Sequence, residues 1–334
     1  MAKKVMILGG TGFLGYYTAL EALREGMEVG SISLDDIDLE GWYPKEIKVQ
    51  YTDLFTVEED KLAEMMKGYD YLVYSVGPDD RVTPPAPSYE FFHERLVEHC
   101  AKCFRAAEKA GIKKGVVFNS YFAFFDRIYP QLELVKHNPY VRARVEQAAK
   151  LNEQKKNMEV VVLELPYIFG SMPKRTPLWK DVYLDRYVYG KKTVYFPKGS
   201  TTMIAVQHIG EAAIGALLYG KDGERYPIGD QNKSFNWMID QMMISATGHT
   251  RKIINPAGWI CGLGAKAVQH KEEKKGNQPG LDLGRMMKDI MSHDIVVPED
   301  VMDKIDTELH VGRGGLEEAI AKTMEASYPN KSFK

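Results

Sequence analysis

Short apolar runs alternate along the first two thirds of the chain with stretches in which apolar residues recur every three or four positions. The runs fall at residues 5–8, 28–33, 47–51, 71–77, 115–120 and 160–165, and read as strands. The run at 160–165 is nearly all apolar, as a parallel strand covered on both faces should be. The intervening stretches read as helices. One begins behind Gly15 and fades at Gly26. A second spans 89–109, with Phe92, Leu96, Cys100, Phe104 and Ala107 along one stripe. A third starts at Asn138-Pro139, a good N-cap followed by a good first helical residue. Further on, 202–213 reads as a strand running into a helix, 226–229 as the last strand of the main sheet, and 235–247 and 316–326 as helices of a smaller domain. The alternation predicts an α/β fold, a doubly wound parallel Rossmann sheet with a smaller α/β C-terminal substrate domain.

The first turn carries the chemistry. Val5-Met6-Ile7-Leu8 ends in Gly9-Gly10-Thr11-Gly12-Phe13-Leu14-Gly15, three glycines at a spacing of three between strand and helix. Gly9 turns the chain sharply, and Gly12 lets backbone N–H groups approach a pyrophosphate with no Cβ in the way. Gly15 lets the helix sit close on the strand, with its positive N-terminus toward the anion. This G-x-x-G-x-x-G turn resembles the extended short-chain dehydrogenase/reductase family, also called the NAD-dependent epimerase/dehydratase family. The family's later motifs follow in order over about the first half of the chain: Asp53-Leu54, Tyr140-x-x-x-Arg144 and Pro166-Tyr167-Ile168-Phe169-Gly170.

The resemblance implies that residues 9–15 cradle the dinucleotide and that an acid at the end of the second strand holds the ribose 2′-OH. Ser33 occupies the strand end, and Asp35 falls 20 residues beyond Gly15. No Lys or Arg lies in 31–40 to neutralise a 2′-phosphate, and Asp35 and Asp36 would repel one, so NAD is favoured over NADP. By the same resemblance Asp53 and Leu54 lie against the adenine, although Asp53 suits a helix N-cap as well. Val76 and Gly77 let the cofactor ribose pass, and Asn119 joins the cofactor site. Pro166, Tyr167 and Ile168 place backbone beside the nicotinamide amide, with Phe169 where the family has tyrosine.

Tyr140 and Arg144 match the family's Y-x-x-x-K catalytic pair, with arginine in the lysine's place. They lie one turn apart on one helix face. A phenol that trades a proton with a substrate oxygen must approach neutrality, and a cation one turn away favours the phenolate. Arg144 would also hold ribose hydroxyls with its fork of donors, but it cannot release a proton. Ser120 and Tyr121 fall where the family carries a Ser or Thr, and one of them would orient the substrate oxygen.

Composition narrows the class. The chain has 334 residues, 44% hydrophobic, with a net charge of −2, which gives no electrostatic footprint for nucleic acid or an anionic membrane. No apolar run approaches the roughly 20 residues that span a bilayer. The first strand begins within five residues of the start, which leaves no room for a signal peptide and sets a cytoplasmic expectation. Three cysteines make no disulfide framework. Cys100-Ala-Lys-Cys103 sits mid-helix without a second pair, so it reads as core packing rather than as a metal site.

The expected domains are a dinucleotide-binding unit over 1–170 and about 193–229, and a substrate unit over 171–192 and 230–334. Lys174, Arg175, Trp179, Tyr183, Tyr187, Tyr189, Lys191 and Lys192 could clamp a nucleotide pyrophosphate, enclose an apolar substrate or form a solvated helix. His208 replaces an Asp of the family's strand–helix return and reads as structural. Residues 249–315 match no motif; the apolar patch at 259–265 reads as a lid or contact surface. The first functional expectation is an NAD(P)-dependent oxidoreductase acting on a carbonyl or secondary alcohol, a small-molecule substrate, with Tyr140 as acid/base. The alternatives are a sugar-nucleotide epimerase or dehydratase that keeps its NAD, and a non-catalytic NAD(P) sensor. The resemblance also implies a homodimer, with helices 89–109 and 139–151 pairing across a two-fold.

Overall fold

The computed structural model describes residues 2–333. Its strands are β1 (Lys4–Leu8), β2 (Glu28–Ser33), β3 (Lys48–Tyr51), β4 (Tyr71–Tyr74), β5 (Lys114–Ser120), β6 (Glu159–Leu165), β7 (Tyr167–Phe169), β8 (Thr193–Tyr195), β9 (Ser200–Ala205), β10 (Arg225–Pro227), β11 (Gln231–Ser234) and β12 (Lys252–Ile254). Seven of them form one sheet in the order β10-β6-β5-β4-β1-β2-β3, with every neighbouring pair parallel. The strand order reverses between β1 and β4, which opens a crevice beyond their C-terminal ends.

Both faces of the sheet are covered, and the period of two along each strand divides the core. Val5, Ile7 and Val73 point to one side, against Ala19 and Ala22 of helix Phe13–Arg24 and Ile209, Ala212 and Leu217 of helix Val206–Leu218. Met6, Leu8, Leu72 and Tyr74 point to the other, against Cys100, Cys103, Phe104 and Leu151. The thiols of Cys100 and Cys103 are thus core atoms. Burial pushes both up, Cys103 to about 12, which keeps them protonated. Among the described residues no group of three His, Cys, Asp or Glu side chains is placed to hold a metal ion.

The strands predicted from apolar runs agree with these bounds to within a residue, except that β4 stops at Tyr74. There Gly77 takes a φ of +130°, which bends the chain out of the strand. The helix expected at 89–109 is present, but Ser88–Phe92 and His99–Ala110 are joined through a π-helical stretch, His93–Glu98.

The second half builds two small sheets, β11-β9-β7 and β12-β8. Helices Phe235–Thr247 and Leu316–Ser327 pack with them around Phe169, Trp179, Tyr183, Phe196, Phe235 and Met238. The basic, aromatic segment is not a solvated helix. Its π-helical part, Lys180–Val188, buries Tyr183, Leu184 and Val188 in this core. The stretch that matched no motif holds β12 and helices Gly258–Glu273 and Glu299–Leu309. The latter returns to the main body, where a Cβ on Gly215 would overlap the Leu309 carbonyl. Trp259 and Leu263 stand 60% and 63% exposed on the outer face of helix Gly258–Glu273. Among the described residues no helix is long and apolar enough to cross a membrane.

Candidate active site

The opening turn has the geometry its glycines imply. Gly9 sits at φ +85°, and a Cβ on Gly15 would overlap the Gly9 carbonyl, so only glycine lets the helix start this close. Gly12 is the N-cap of helix Phe13–Arg24 and contributes no capping side chain. A Cβ there would meet only the Gly9 carbonyl, at 3.2 Å. The first-turn amides therefore face outward over a bare backbone, a fit for a diphosphate. β2 braces the turn from beside it: Gly9 N donates to Ile32 O at 2.8 Å, and Thr11 N to Ser33 Oγ at 3.2 Å. The Ser33 hydroxyl, bonded also to Ser31 Oγ, thus supports the loop.

The Tyr140–Arg144 pair lies at the C-terminal ends of β4 and β5, in helix Pro139–Gln154. Arg144 Nε donates to Tyr140 Oη at 3.0 Å. Its Nη1 donates to Phe118 O at 3.0 Å and Gln147 Oε1 at 3.1 Å, and its Nη2 to Pro78 O at 3.3 Å. Four of the five guanidinium N–H donors are spent on protein, leaving one for a ribose hydroxyl rather than the full fork anticipated. Burial pushes the Tyr140 phenol above its ordinary value; Arg144 opposes the rise and Asp80 adds to it. The expected depression by Arg144 is thus outweighed by desolvation. Tyr140 is a neutral phenol whose oxygen accepts from Arg144, so its own proton is directed away from the guanidinium.

The hydroxyls beside the pair are tied to protein. Ser120 caps helix Tyr121–Ile128 by accepting from Phe122 N at 3.3 Å, and Tyr121 Oη shares a hydrogen bond with Thr201 Oγ1 at 3.0 Å. Asn119 donates to Arg144 O at 2.8 Å and Gln147 Oε1 at 3.0 Å and accepts from Ser120 N at 2.7 Å, so it supports the site from below. Ile168 O already accepts from Trp179 Nε1 at 2.7 Å. Asp53 Oδ1 accepts from Phe55 N at 2.9 Å in its own turn, and Leu54 is buried in the core. Val76 stands against Gly9, within 2.8 Å of where a Cβ there would lie. Pro166 links β6 to β7, and Asp35 is exposed beyond β2.

Three groups escaped the sequence reading. Asp80 follows the Pro78 turn; burial raises the phenols of Tyr121, Tyr140 and Tyr167, and the Asp80 charge adds to the rise of each. Burial pushes its own carboxyl up against the pull of Arg81. Gln147, fully buried, accepts from both Arg144 and Asn119 and fixes the guanidinium's plane. Its position three residues past Arg144, a polar side chain on the helix's buried face, was the available signal. Gly280 accepts from Tyr140 N at 3.0 Å and brings residues 278–282 over the pair, which no local pattern announces.

Taken together, these features define a doubly wound α/β protein with a bare glycine turn after its first strand and a phenol–guanidinium pair at the C-terminal ends of β4 and β5. No family model and no curated protein matches the chain. Solved structures share its fold. A nucleoside-diphosphate-sugar epimerase from Pseudomonas aeruginosa superposes with a TM-score of 0.70 at 15% identity, over 100% of both chains. UDP-glucose 4-epimerase from Bifidobacterium longum, in complex with NAD+ and UDP, gives 0.68 at 15% identity over 99% of each chain. UDP-glucuronic acid 4-epimerase from Bacillus cereus, in complex with NAD, gives 0.63 at 12% identity over 97% of this chain and 98% of its own. At such identities the likeness is one of fold.

Proposed function

We propose that the chain is an NAD-dependent oxidoreductase of the extended short-chain dehydrogenase/reductase type, acting on a carbonyl or secondary alcohol. The observation that carries the reading is the hydrogen bond from Arg144 Nε to Tyr140 Oη, in a sheet whose first strand ends in a bare glycine turn. The first-turn amides around Gly12 and Phe13 would hold the pyrophosphate, and the remaining Arg144 N–H a ribose hydroxyl. NAD, when bound, supplies the hydride acceptor or donor. Tyr140 gives its proton to the substrate oxygen on reduction, which leaves a phenolate that accepts from Arg144, and on oxidation that phenolate takes the substrate's proton. Arg144 keeps the phenol oxygen fixed, and Gln147 and Asn119 keep Arg144 fixed. Residues 278–282 and the Tyr121–Tyr167 wall exclude water. Calorimetry with NAD+ and NADP+ on the purified chain tests the reading: tighter binding of NAD+ is expected, and binding of neither overturns it.

A second reading, a sugar-nucleotide epimerase that returns its cofactor unchanged, is favoured by the epimerases that share the fold over their whole length, smaller domain included. In it residues 171–192 and 230–334 bind the nucleotide sugar. Incubation with UDP-glucose separates the two: an epimeric product without net absorbance at 340 nm supports the epimerase, and net NADH the oxidoreductase. A homodimer paired through the helices over 89–109 and 139–151 and a cytoplasmic location go with either reading. Light scattering at micromolar concentration that gives a monomer overturns the dimer.

A further inference from the structure

The exposed apolar side chains of this molecule are concentrated on one helix. Trp259, Ile260, Leu263 and Val268 stand 44% to 63% exposed and are four of the twelve such large side chains among the described residues. All four lie on helix Gly258–Glu273. With 3.6 residues per turn they share one half of its surface with Gly264 and Ala267. From Trp259 to Val268 the single charged side chain is Lys266. The other half of the helix is the one that packs. A Cβ on Gly258 would meet Ser292 and one on Gly262 the Gly284 carbonyl, each at 2.9 Å, whereas one on Gly264 would meet nothing within 4 Å. The chain leaving the helix is fixed as well, with Ala86 N on Gly276 O at 2.8 Å and Gln278 N on Pro84 O at 2.9 Å. The apolar face is thus held out on a rigid ledge.

Positive charge gathers around it. Residues 252–290 carry seven Lys and Arg against four Asp and Glu, a net +3 in a chain whose net charge is −2. The whole-chain charge therefore hides a local footprint. The helix's own acids are engaged, Glu272 with Lys275 at 2.7 Å and Glu273 with His270 at 3.5 Å. Lys266, Lys271 and Lys274 are exposed and enter no ion pair among the described residues. Helical side chains lean toward the N-terminus, so Lys271 and Lys274 reach back along the apolar face with their ammonium groups at its rim.

We propose that helix Gly258–Glu273 docks in the plane of an anionic lipid bilayer, with its Trp259–Val268 face at the acyl boundary and its lysines on lipid phosphates. An apolar band ringed by lysines, with tryptophan at one end, is the pattern of a helix that lies in a membrane interface. A second copy of the chain fits less well, because a two-fold contact on this face would set two positive surfaces against each other. The inference stands apart from the NAD reading, since docking needs neither dinucleotide nor substrate.

Cosedimentation of the full chain with phosphatidylcholine vesicles, with and without phosphatidylglycerol, tests it. Binding is expected to the vesicles that contain phosphatidylglycerol, and added salt should weaken it. Trp259→Ser with Leu263→Ser should lower the partition coefficient by about tenfold or more. Lys266→Gln, Lys271→Gln and Lys274→Gln together should erase the preference for phosphatidylglycerol. All five positions are exposed, so both variants should melt with the parent. Tryptophan emission of the parent should shift to the blue on adding these vesicles, and Trp259→Phe should remove the shift. A parent that stays in the supernatant with both kinds of vesicle overturns the inference, as does binding that the variants keep in full. If that unbound parent is a dimer that Trp259→Ser with Leu263→Ser dissociates, a second copy covers the face instead.

Discussion

Arg144 donates to the Tyr140 hydroxyl through Nε at 3.0 Å and is otherwise committed to Phe118 O, Gln147 Oε1 and Pro78 O. The arginine is therefore a fixed strut, where a flexible lysine would be a mobile donor. The strut survives loss of the phenol oxygen because three of its four protein contacts remain. Tyr140→Phe should therefore cost only about 1–2 kcal/mol by urea unfolding. It should leave the NAD+ affinity within a few-fold. Turnover of whichever substrate proves active should fall by about 10²- to 10⁴-fold, the range for loss of a proton-transferring group. Activity retained in the variant would remove Tyr140 from the chemistry.

Two glycines of the opening turn should fail differently. A Cβ at Gly15 overlaps the Gly9 carbonyl, backbone against backbone, with nowhere to move. Gly15→Ala should destabilise the fold by about 2–4 kcal/mol and lower the thermal midpoint. A Cβ at Gly12 meets one carbonyl at 3.2 Å and otherwise points into the space a diphosphate would fill. Gly12→Ala should thus melt within a few degrees of the parent yet bind NAD+ at least tenfold more weakly by calorimetry. Equal losses at both positions would mean that the turn is only a packing device.

What was legible in the sequence and what was not divide along a physical line. The parallel sheet was readable because both-face burial forces apolar runs, and the glycine turn because no other residue satisfies its backbone. Tyr140 and Arg144 were readable because helical spacing alone puts them on one face. The sign of the Tyr140 shift was not, since it depends on how deeply residues 278–282 bury the phenol, and Gly280 lies 140 positions along the chain. Asp80 stayed hidden for the same reason: it acquires its neighbours through tertiary packing. His208 was read as structural, and the fold supplies the missing carboxylate from Asp230, which caps Ala205 N at 2.9 Å and bonds His208 Nδ1 at 2.7 Å.

That His208–Asp230 pair should make stability depend on pH. Burial by itself would lower the His208 pKa, but the hydrogen bond and charge of Asp230, with Glu211 and Asp306 further off, raise it above the ordinary imidazole value. The folded state then holds the proton more tightly than the unfolded chain. The contribution is fully present below the unfolded value of about 6.5 and is lost as pH rises through the higher folded value. Urea midpoints should accordingly fall as pH rises above about 6.5, and His208→Gln should flatten that slope. A parent and variant with parallel pH profiles would show that folding leaves the His208 proton affinity unchanged.

The ion pair beneath the site sets the last expectation. Arg127, on the helix that follows β5, grips Glu164 of β6 with Nη1 at 2.7 Å from Oε1 and Nη2 at 2.6 Å from Oε2. Glu164 is 0% exposed; burial pushes its carboxyl up, and the Arg127 fork holds it back. Arg127→Met would leave that carboxylate buried without its partner, at a cost of about 3–5 kcal/mol near neutral pH. The deficit should shrink as pH is lowered toward the unfolded carboxyl value of about 4.5, because the folded state then takes up the proton more readily than the unfolded chain. Arg127→Met combined with Glu164→Leu should recover most of the loss, since a well-packed apolar pair of similar volume needs no desolvation of charge. If the double variant is no more stable than the single one, the arginine acts through its own packing on Phe124 (guanidinium 5.5 Å from the ring centroid), and the carboxylate is incidental.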